Sequence, residues 1–449
     1  MQTFPSGRAP APREPVTLAL EPFRAVRYSP DQVSGIAEVT SPPYDVIGTA
    51  AVARLLAADP CNVVRLILPR SGPGQSGPGQ SGPGQADGGY ADAATTLKEW
   101  QADGVLVQDA EPGLYAYEQR DAADQVLQRG LIGGLRLSPP GEGVVLPHED
   151  VMPGPVAGRL ALMEAVRANL EPIFLMYDGA PGAAVQLVDE AASSSPPLLD
   201  VATEDGLTHR LWAITDPAEL AAIAADLAPR RAVIADGHHR YAAYLELQSR
   251  MHAEGAGPGP WDQGLALLVD STEYPPRIDA IHRVIPGLSP VAAVTAARQA
   301  FGVRPVHGGL AAGLDALAEA GGHGPAFLIG DGQQLHLLTE PDPAQVAAAM
   351  PADRSPHWRG LPASILQQLL IGRLWGIRDD ERTVRVVHHD AAAAVQAAAE
   401  AGGTAVLCNP VHAADVAQVA ADGERVPRKS TSFGPKPRTG LLMRIFDQL

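Results

Sequence analysis

Several short stretches of this chain bring together residue types that can do chemistry. The first is Ile234-Ala235-Asp236-Gly237-His238-His239-Arg240-Tyr241. An apolar strand ends in an Asp-Gly turn and runs straight into a helix. The first turn of such a helix offers free backbone N–H groups and the positive end of the helix dipole. Gly237 lets an anion approach the main chain. His238, His239 and Arg240 add donors at the same spot, which makes a phosphate cradle. The competing reading has Asp236 capping the helix and the histidines packed or solvated. Adjacent helical residues point about 100° apart, so His238 and His239 do not read as two ligands of one metal ion.

The second stretch is Pro147-His148-Glu149-Asp150. It is not a zinc-protease helix, because Met152 and Pro153 stand where H-E-x-x-H needs its second His. Its acids could simply complement the dipole of the helix that follows. Alternatively Glu149 is a carboxylate at a strand end, positioned to take a proton from a substrate hydroxyl, with Arg159 as a charge partner. The third stretch, Pro427 to Lys436, places three cations and three hydroxyls within ten residues of an otherwise acidic protein. It reads equally as an anion-recognition loop or as a basic tail. In the fourth, Ser41-Pro42-Pro43-Tyr44-Asp45, Asp45 is a metal or substrate ligand or part of a turn around a buried Tyr. His388-His389-Asp390 reads as the solvated start of an Ala-rich helix. Walker A, protein-kinase, nucleophile-elbow and dinucleotide-binding signatures are absent.

The elements that must position these residues are mixed. Strands are expected at 24–28, 62–68, 113–120, 128–137, 144–146, 172–177, 207–214, 232–235, 265–270, 326–329, 334–338 and 404–407. Helices are expected over 91–101, near 158–169 and from His238 through Glu246. The fold class is α+β (mixed α/β). Residues 1–15 read as a disordered tail. A perfect Ser-Gly-Pro-Gly-Gln repeat fills 71–85 and reads as a flexible insertion. The remainder divides into an N-terminal α/β segment (16–140), a central segment (141–288) and a C-terminal α/β segment (289–449) with a loop at 427–440.

Composition narrows the function. The chain has 449 residues, 45% of them hydrophobic, which is enough for a substantial core. Its net charge of -17 argues against general nucleic-acid binding, which rests on Lys and Arg neutralising phosphates. The two cysteines, Cys61 and Cys408, allow no zinc ribbon or disulfide framework. With no signal peptide or apolar run of membrane-spanning length, a cytoplasmic setting is expected.

Taken in order, five motifs give a resemblance. Pro22 to Tyr28, Pro42 to Ile47, Leu146 to Glu149, Ala235 to Tyr241 and Lys429-Ser430-Thr431 together resemble a bacterial and archaeal family catalogued as a domain of unknown function. The later motifs are also similar to the free serine kinases of the ParB/sulfiredoxin-like superfamily. Arg428 between Pro427 and Lys429 has no counterpart in the kinase pattern. That resemblance implies a ParB/sulfiredoxin-like phosphate-binding core at 141–288 and transfer of a phosphoryl group to free L-serine. It implies Glu149 as the base, with Asp236 and His239 beside it and Asp236 linked to Mg²⁺. Gly237, His238, His239, Arg240 and Arg159 would hold the donor, which is ATP, ADP or pyrophosphate. His148, Lys429, Ser430, Thr431 and Asp45 would meet the substrate. The alternatives are a non-catalytic nucleotide or phosphometabolite sensor and a phosphoserine hydrolase using the same site. The expected partners are small molecules, with no nucleic acid and no membrane.

Overall fold

The uniformly apolar runs of the sequence become the middle of a sheet. Every residue of the strand Ile173–Tyr177 is buried, and so is Gln263–Asp270 beyond its first residue. The two lie side by side and parallel. Strands covered on both faces read as continuous apolar stretches rather than alternating ones. The computed structural model describes residues 16–69, 87–380 and 382–446. The expected tail at 1–15 and the repeat at 71–85 lie outside the described residues.

Nine strands form the first sheet among the described residues. Its site-bearing edge runs Val145–Leu146, Ala232–Asp236, Ile173–Tyr177, with Val145–Leu146 parallel to Ala232–Asp236. On the other side of Gln263–Asp270, the strands Val126–Arg136, Leu114–Arg120, Thr208–Ile214 and Leu199–Ala202 follow, each antiparallel to its neighbour. Leu20–Glu21 lies against Val126–Arg136. Gly133 permits this close approach. A Cβ there would stand 2.5 Å from Leu20 Cγ and 2.6 Å from Leu114 Cδ2. This sheet takes strands from both sides of residue 140, so the segments expected at 16–140 and 141–288 share it.

A second sheet of six strands is antiparallel throughout. It contains Ile281–Ile285, Gly302–Val306, Phe327–Gly330, Leu335–Thr339, Arg385–His388 and Thr404–Cys408. After it, the chain returns to the first body. Phe433–Gly434 pairs with Arg277–Ile278, and Arg444–Ile445 pairs with Ala168–Asn169. This return brings the 427–440 loop over the edge of the first sheet. The architecture is mixed α/β.

The expected strand at 62–68 is instead a short helix, Val64–Ile67. Val63, Val64, Leu66 and Ile67 are all fully buried and Arg65 among them is exposed, and an apolar run this short does not separate strand from helix. Asn62 decides the matter. Its Oδ1 accepts the Val64 N–H at 2.9 Å, while its Nδ2 donates to Glu38 O and Thr40 O. This local side-chain-to-backbone bond turns the chain at the start of the run and leaves it poorly placed to extend as a strand. His388-His389-Asp390 does precede a helix, with Asp390 Oδ1 accepting the Ala393 N–H at its start. Among the described residues, no helix is long and apolar enough to cross a membrane.

Candidate active site

Two motifs far apart in sequence leave the sheet on the same side because their strands are parallel neighbours. Val145–Leu146 runs into Pro147-His148-Glu149, and Ala232–Asp236 runs into Gly237 and the helix His238–Ala253. Parallel strands place their carboxyl ends together, where open α/β sheets build sites. The register against Ile173–Tyr177 shifts between Ile234 and Asp236, and such an irregularity re-aims the side chains at the strand end. Gly237 then turns the chain with φ 93°, a left-handed conformation that glycine adopts without steric cost. The N–H groups of His238, His239 and Arg240 open the helix with no carbonyl a turn earlier to receive them.

Glu149 and His148 meet the C-terminal loop. Thr431 Oγ1 lies 2.9 Å from Glu149 Oε1 and 2.9 Å from His148 Nε2. His148 is fully buried, and its Nδ1 sits 2.6 Å from Ile234 O. A carbonyl only accepts, so that ring nitrogen carries a hydrogen and donates it. Burial holds the His148 pKa below its ordinary value, against the nearby Glu149 carboxylate that raises it. A neutral ring therefore presents Nε2 as an acceptor. Thr431 has one hydroxyl hydrogen for two acceptors, so the trio is one proton short of satisfying both contacts. Glu149 Oε2 has no protein donor among the described residues.

His238 is not turned toward an open cradle. Its buried ring accepts the His148 N–H at Nε2 (3.2 Å) and packs edge-on against His148, with centroids 4.5 Å apart. Burial, with His148 and His239 nearby, pushes its pKa well down, so it brings no positive charge. His239 is half-buried, and its Nε2 accepts the Met152 N–H at 3.1 Å. Burial lowers its pKa too, opposed by Glu149, Asp45 and Asp236 and assisted by Lys429. The His239 ring thus lies where the two halves of the site converge.

The cations of the cradle are engaged. Arg240, buried, donates from Nη1 to Pro172 O and from Nη2 to Asp236 Oδ2, each at 2.7 Å, while its Nε lacks a partner. Burial works against its charge, but Glu171, Asp236 and Asp45 more than restore it. Lys436 bridges Asp45 Oδ2 at 2.8 Å and Asp236 Oδ1 at 2.5 Å. Burial disfavours its charge as well, and the two aspartates raise its pKa well above the ordinary lysine range. Asp45 moves the opposite way, since Lys436 and Arg240 overcome the effect of burial and hold its carboxyl down. Arg159 stands over the Tyr44 ring at 4.2 Å, donates to Ile67 O at 3.0 Å and lies 3.9 Å from Glu171. Both Asp236 oxygens face cations. No cluster of three or more metal-ligating side chains occurs among the described residues. This arrangement does not fit a Mg²⁺ held by the protein at Asp236.

Lys429 is exposed with φ 53°, and its carbonyl accepts from Arg283 Nη2 at 2.8 Å. Ser430 is turned inward, its hydroxyl donating to Pro427 O at 2.6 Å. Thr431 therefore carries the loop's direct contact with Glu149. Sequence reasoning counted Lys436 among the cations of the C-terminal loop and Tyr44 as the buried ring of a turn, but gave neither a place beside Asp236 or Arg159, and it gave Glu171 no role. Lys436 carries a further signal, since it is held between Pro435 and Pro437. Glu171 carries none, yet its Oε1 accepts from both the Tyr44 N–H and the Thr439 hydroxyl at 3.2 Å.

Fold and site together define a mixed α/β protein with a carboxylate–hydroxyl–imidazole cluster beside an amide-rich helix start. The chain belongs to the family described as "Protein of unknown function (DUF1015)", whose model matches residues 20–364. A search of curated proteins gave no match. Similar solved structures include a free serine kinase in complex with AMP, at 11% identity and TM-score 0.33, covering 65% of this chain and 83% of that one. A conserved hypothetical protein from Pyrococcus furiosus is similar at 10% identity and TM-score 0.33, over 67% of this chain and 91% of that one. SbnI with a C-terminal truncation, from Staphylococcus aureus, is similar at 13% identity and TM-score 0.34, over 70% and 87%.

Proposed function

We propose that this protein is a small-molecule phosphotransferase that forms O-phospho-L-serine from free L-serine. The observation that carries the reading is the contact between Glu149 Oε1 and the Thr431 hydroxyl at 2.9 Å. A carboxylate that holds one alcohol, and whose second oxygen has no protein donor among the described residues, is built to receive another. In the reaction the serine Oγ attacks the transferring phosphorus and a new O–P bond forms. The bond from phosphorus to the donor's bridging oxygen breaks, and the leaving phosphate keeps its electron pair. The serine hydroxyl proton passes to Glu149, where the proton-short trio with Thr431 and His148 takes it up.

Phosphoryl transfer asks mainly for positioning and for positive charge around the moving group. The N–H groups opening the helix at His238, together with Arg240 and with Lys429 and Lys436 of the C-terminal loop, supply these around a ParB/sulfiredoxin-like core at 141–288, with the His239 ring as a positioning group. The donor is a nucleotide (ATP or ADP) or inorganic pyrophosphate, whose phosphates suit such a helix start. The reading is of a cytoplasmic enzyme whose partners are small molecules.

One feature favours a second reading, a ligand-responsive sensor. Asp45 and Asp236 already occupy Lys436, and Asp236 occupies Arg240. A phosphate must displace these pairs, which would couple binding to rearrangement of the loop. A direct assay separates the two readings. Protein, divalent salt and L-serine are incubated with ATP, ADP or pyrophosphate, and O-phosphoserine is measured. The expected result is product from one donor, abolished in Glu149→Gln with donor binding retained. Wild-type-like turnover in Glu149→Gln removes Glu149 as the base. No product from any donor, with donors still raising the melting temperature, leaves the sensor.

A further inference from the structure

A second site candidate lies on the six-stranded sheet, away from the helix start at His238. Here a cavity of about 370 Å³ opens between the ends of Ile281–Ile285, Phe327–Gly330 and Thr404–Cys408 and the helix Gly309–Gly321. That volume is within the range of small-molecule pockets. Ile281, Phe327 and Leu366 give it apolar walls, and Leu366 belongs to a π-helical segment, Ile365–Leu374. Such wide turns recur at functional sites.

Arg283 lines this cavity and is only 4% exposed. Its guanidinium donates to the carbonyls of Lys429 (2.8 Å), Arg428 (3.1 Å) and Ile281 (3.3 Å). Among the described residues no carboxylate pairs with it, since the nearby Asp379 is taken by Arg428 at 3.3 Å. Carbonyls satisfy N–H groups but do not neutralise a buried cation, which is costly without a counter-charge. A second positive element faces the same space. His412 precedes the helix Ala413–Ala421 without a side-chain cap, and His412 and Asp415 both line the cavity. Asp415 is its one lining carboxylate and is exposed.

We infer that this cavity binds a small organic anion, a carboxylate or phosphate on an apolar body, with Arg283 as its counter-charge. The anionic group meets the guanidinium and the apolar body fills the space toward Phe327 and Leu366. Ser430 lines the same cavity, one residue from Thr431. Occupancy therefore bears on the loop that contacts Glu149. The inference stands independently of phosphotransfer, because it concerns binding.

The test uses the full chain and three probes followed by saturation-transfer NMR and calorimetry. Benzoate and phenyl phosphate carry charge on an apolar body, and benzyl alcohol carries the body alone. Both anions are expected to bind the wild type and benzyl alcohol at least tenfold more weakly. Arg283→Met should weaken the anions at least tenfold, and Glu149→Gln should leave them unchanged. If Arg283→Met does not fold, Ala363→Phe decides, because it keeps Arg283 and adds bulk to the cavity wall, and it should also abolish binding. Absence of binding by both anions overturns the inference. So does equal binding in Arg283→Met, or in a folded Ala363→Phe.

Discussion

Thr431 offers one hydroxyl hydrogen to two acceptors, Glu149 Oε1 and His148 Nε2. If the proposed base works through this trio, the hydroxyl is the bridge that shares the incoming proton. Thr431→Val removes the bridge while keeping the shape. Loss of one general-base relay is expected to slow phosphoserine formation by roughly ten- to a hundredfold. Thr431→Ser keeps the hydroxyl and should stay within a fewfold of wild type in the same initial-rate assay. Equal losses in the two variants would assign the effect to the methyl group or the loop backbone and remove the relay. The chemistry of Pro-His-Glu and of Lys-Ser-Thr was each legible in the sequence as a motif. Their meeting was not, because 282 positions separate Glu149 from Thr431. The Asp45–Lys436 pair, 391 positions apart, was hidden for the same reason. His238 was misleading in another way. Residue type marks it as a donor, but only packing reveals that it is buried and accepts a backbone N–H.

At the scale of elements, the site depends on one strand-to-helix turn. Gly237 has φ 93°, and a Cβ there would stand 2.8 Å from Ile173 Cγ2 and 3.1 Å from Arg240 Nη2. Gly237→Ala combines left-handed backbone strain of about 1–2 kcal/mol with a clash against a buried strand. The expected loss is about 2–3 kcal/mol in urea unfolding, together with weaker phosphate-donor binding. A variant as stable as wild type would mean that the turn relaxes freely and does not fix the helix start. This turn was readable because an apolar strand, Asp-Gly and a helix follow one another without a break. The hairpin of Leu114–Arg120 with Val126–Arg136 was readable likewise, from two β-rich runs closely spaced. Residues 62–68 were not, since an apolar run this short, broken only by the exposed Arg65, does not separate strand from helix. There the decisive contacts are Asn62 with Glu38 and Thr40, which lie in another part of the chain.

At the scale of the whole molecule, each sheet buries a histidine that must stay neutral. His209, in the first sheet, is 1% exposed, with Nδ1 2.8 Å from the Tyr117 hydroxyl and Nε2 3.1 Å from Thr203 Oγ1. His282, in the second, is 3% exposed and accepts the Cys408 N–H at Nδ1. Burial lowers both to about 4, helped by Arg438 beside His209 and by Arg283 beside His282. In the unfolded chain each returns to an ordinary value near 6.5. Between these values the unfolded state binds more protons, so stability is full above about pH 6.5 and falls as pH drops toward 4. By pH 5 each histidine withdraws about 2 kcal/mol. The first of these losses falls on the seam that assembles the site. Arg438 donates its N–H to Tyr117 and its guanidinium to Thr40 and Ala37, so it docks the C-terminal loop onto the first body. A proton on His209 places a second cation beside it. Urea unfolding at pH 7 and pH 5 should therefore show a smaller acid loss in His209→Gln than in wild type, by about 2 kcal/mol. Carboxylates that titrate over the same range act equally in both proteins and cancel in the comparison. Identical acid losses would mean that His209 is protonated in the folded protein at pH 5, and that the seam does not set its acid sensitivity.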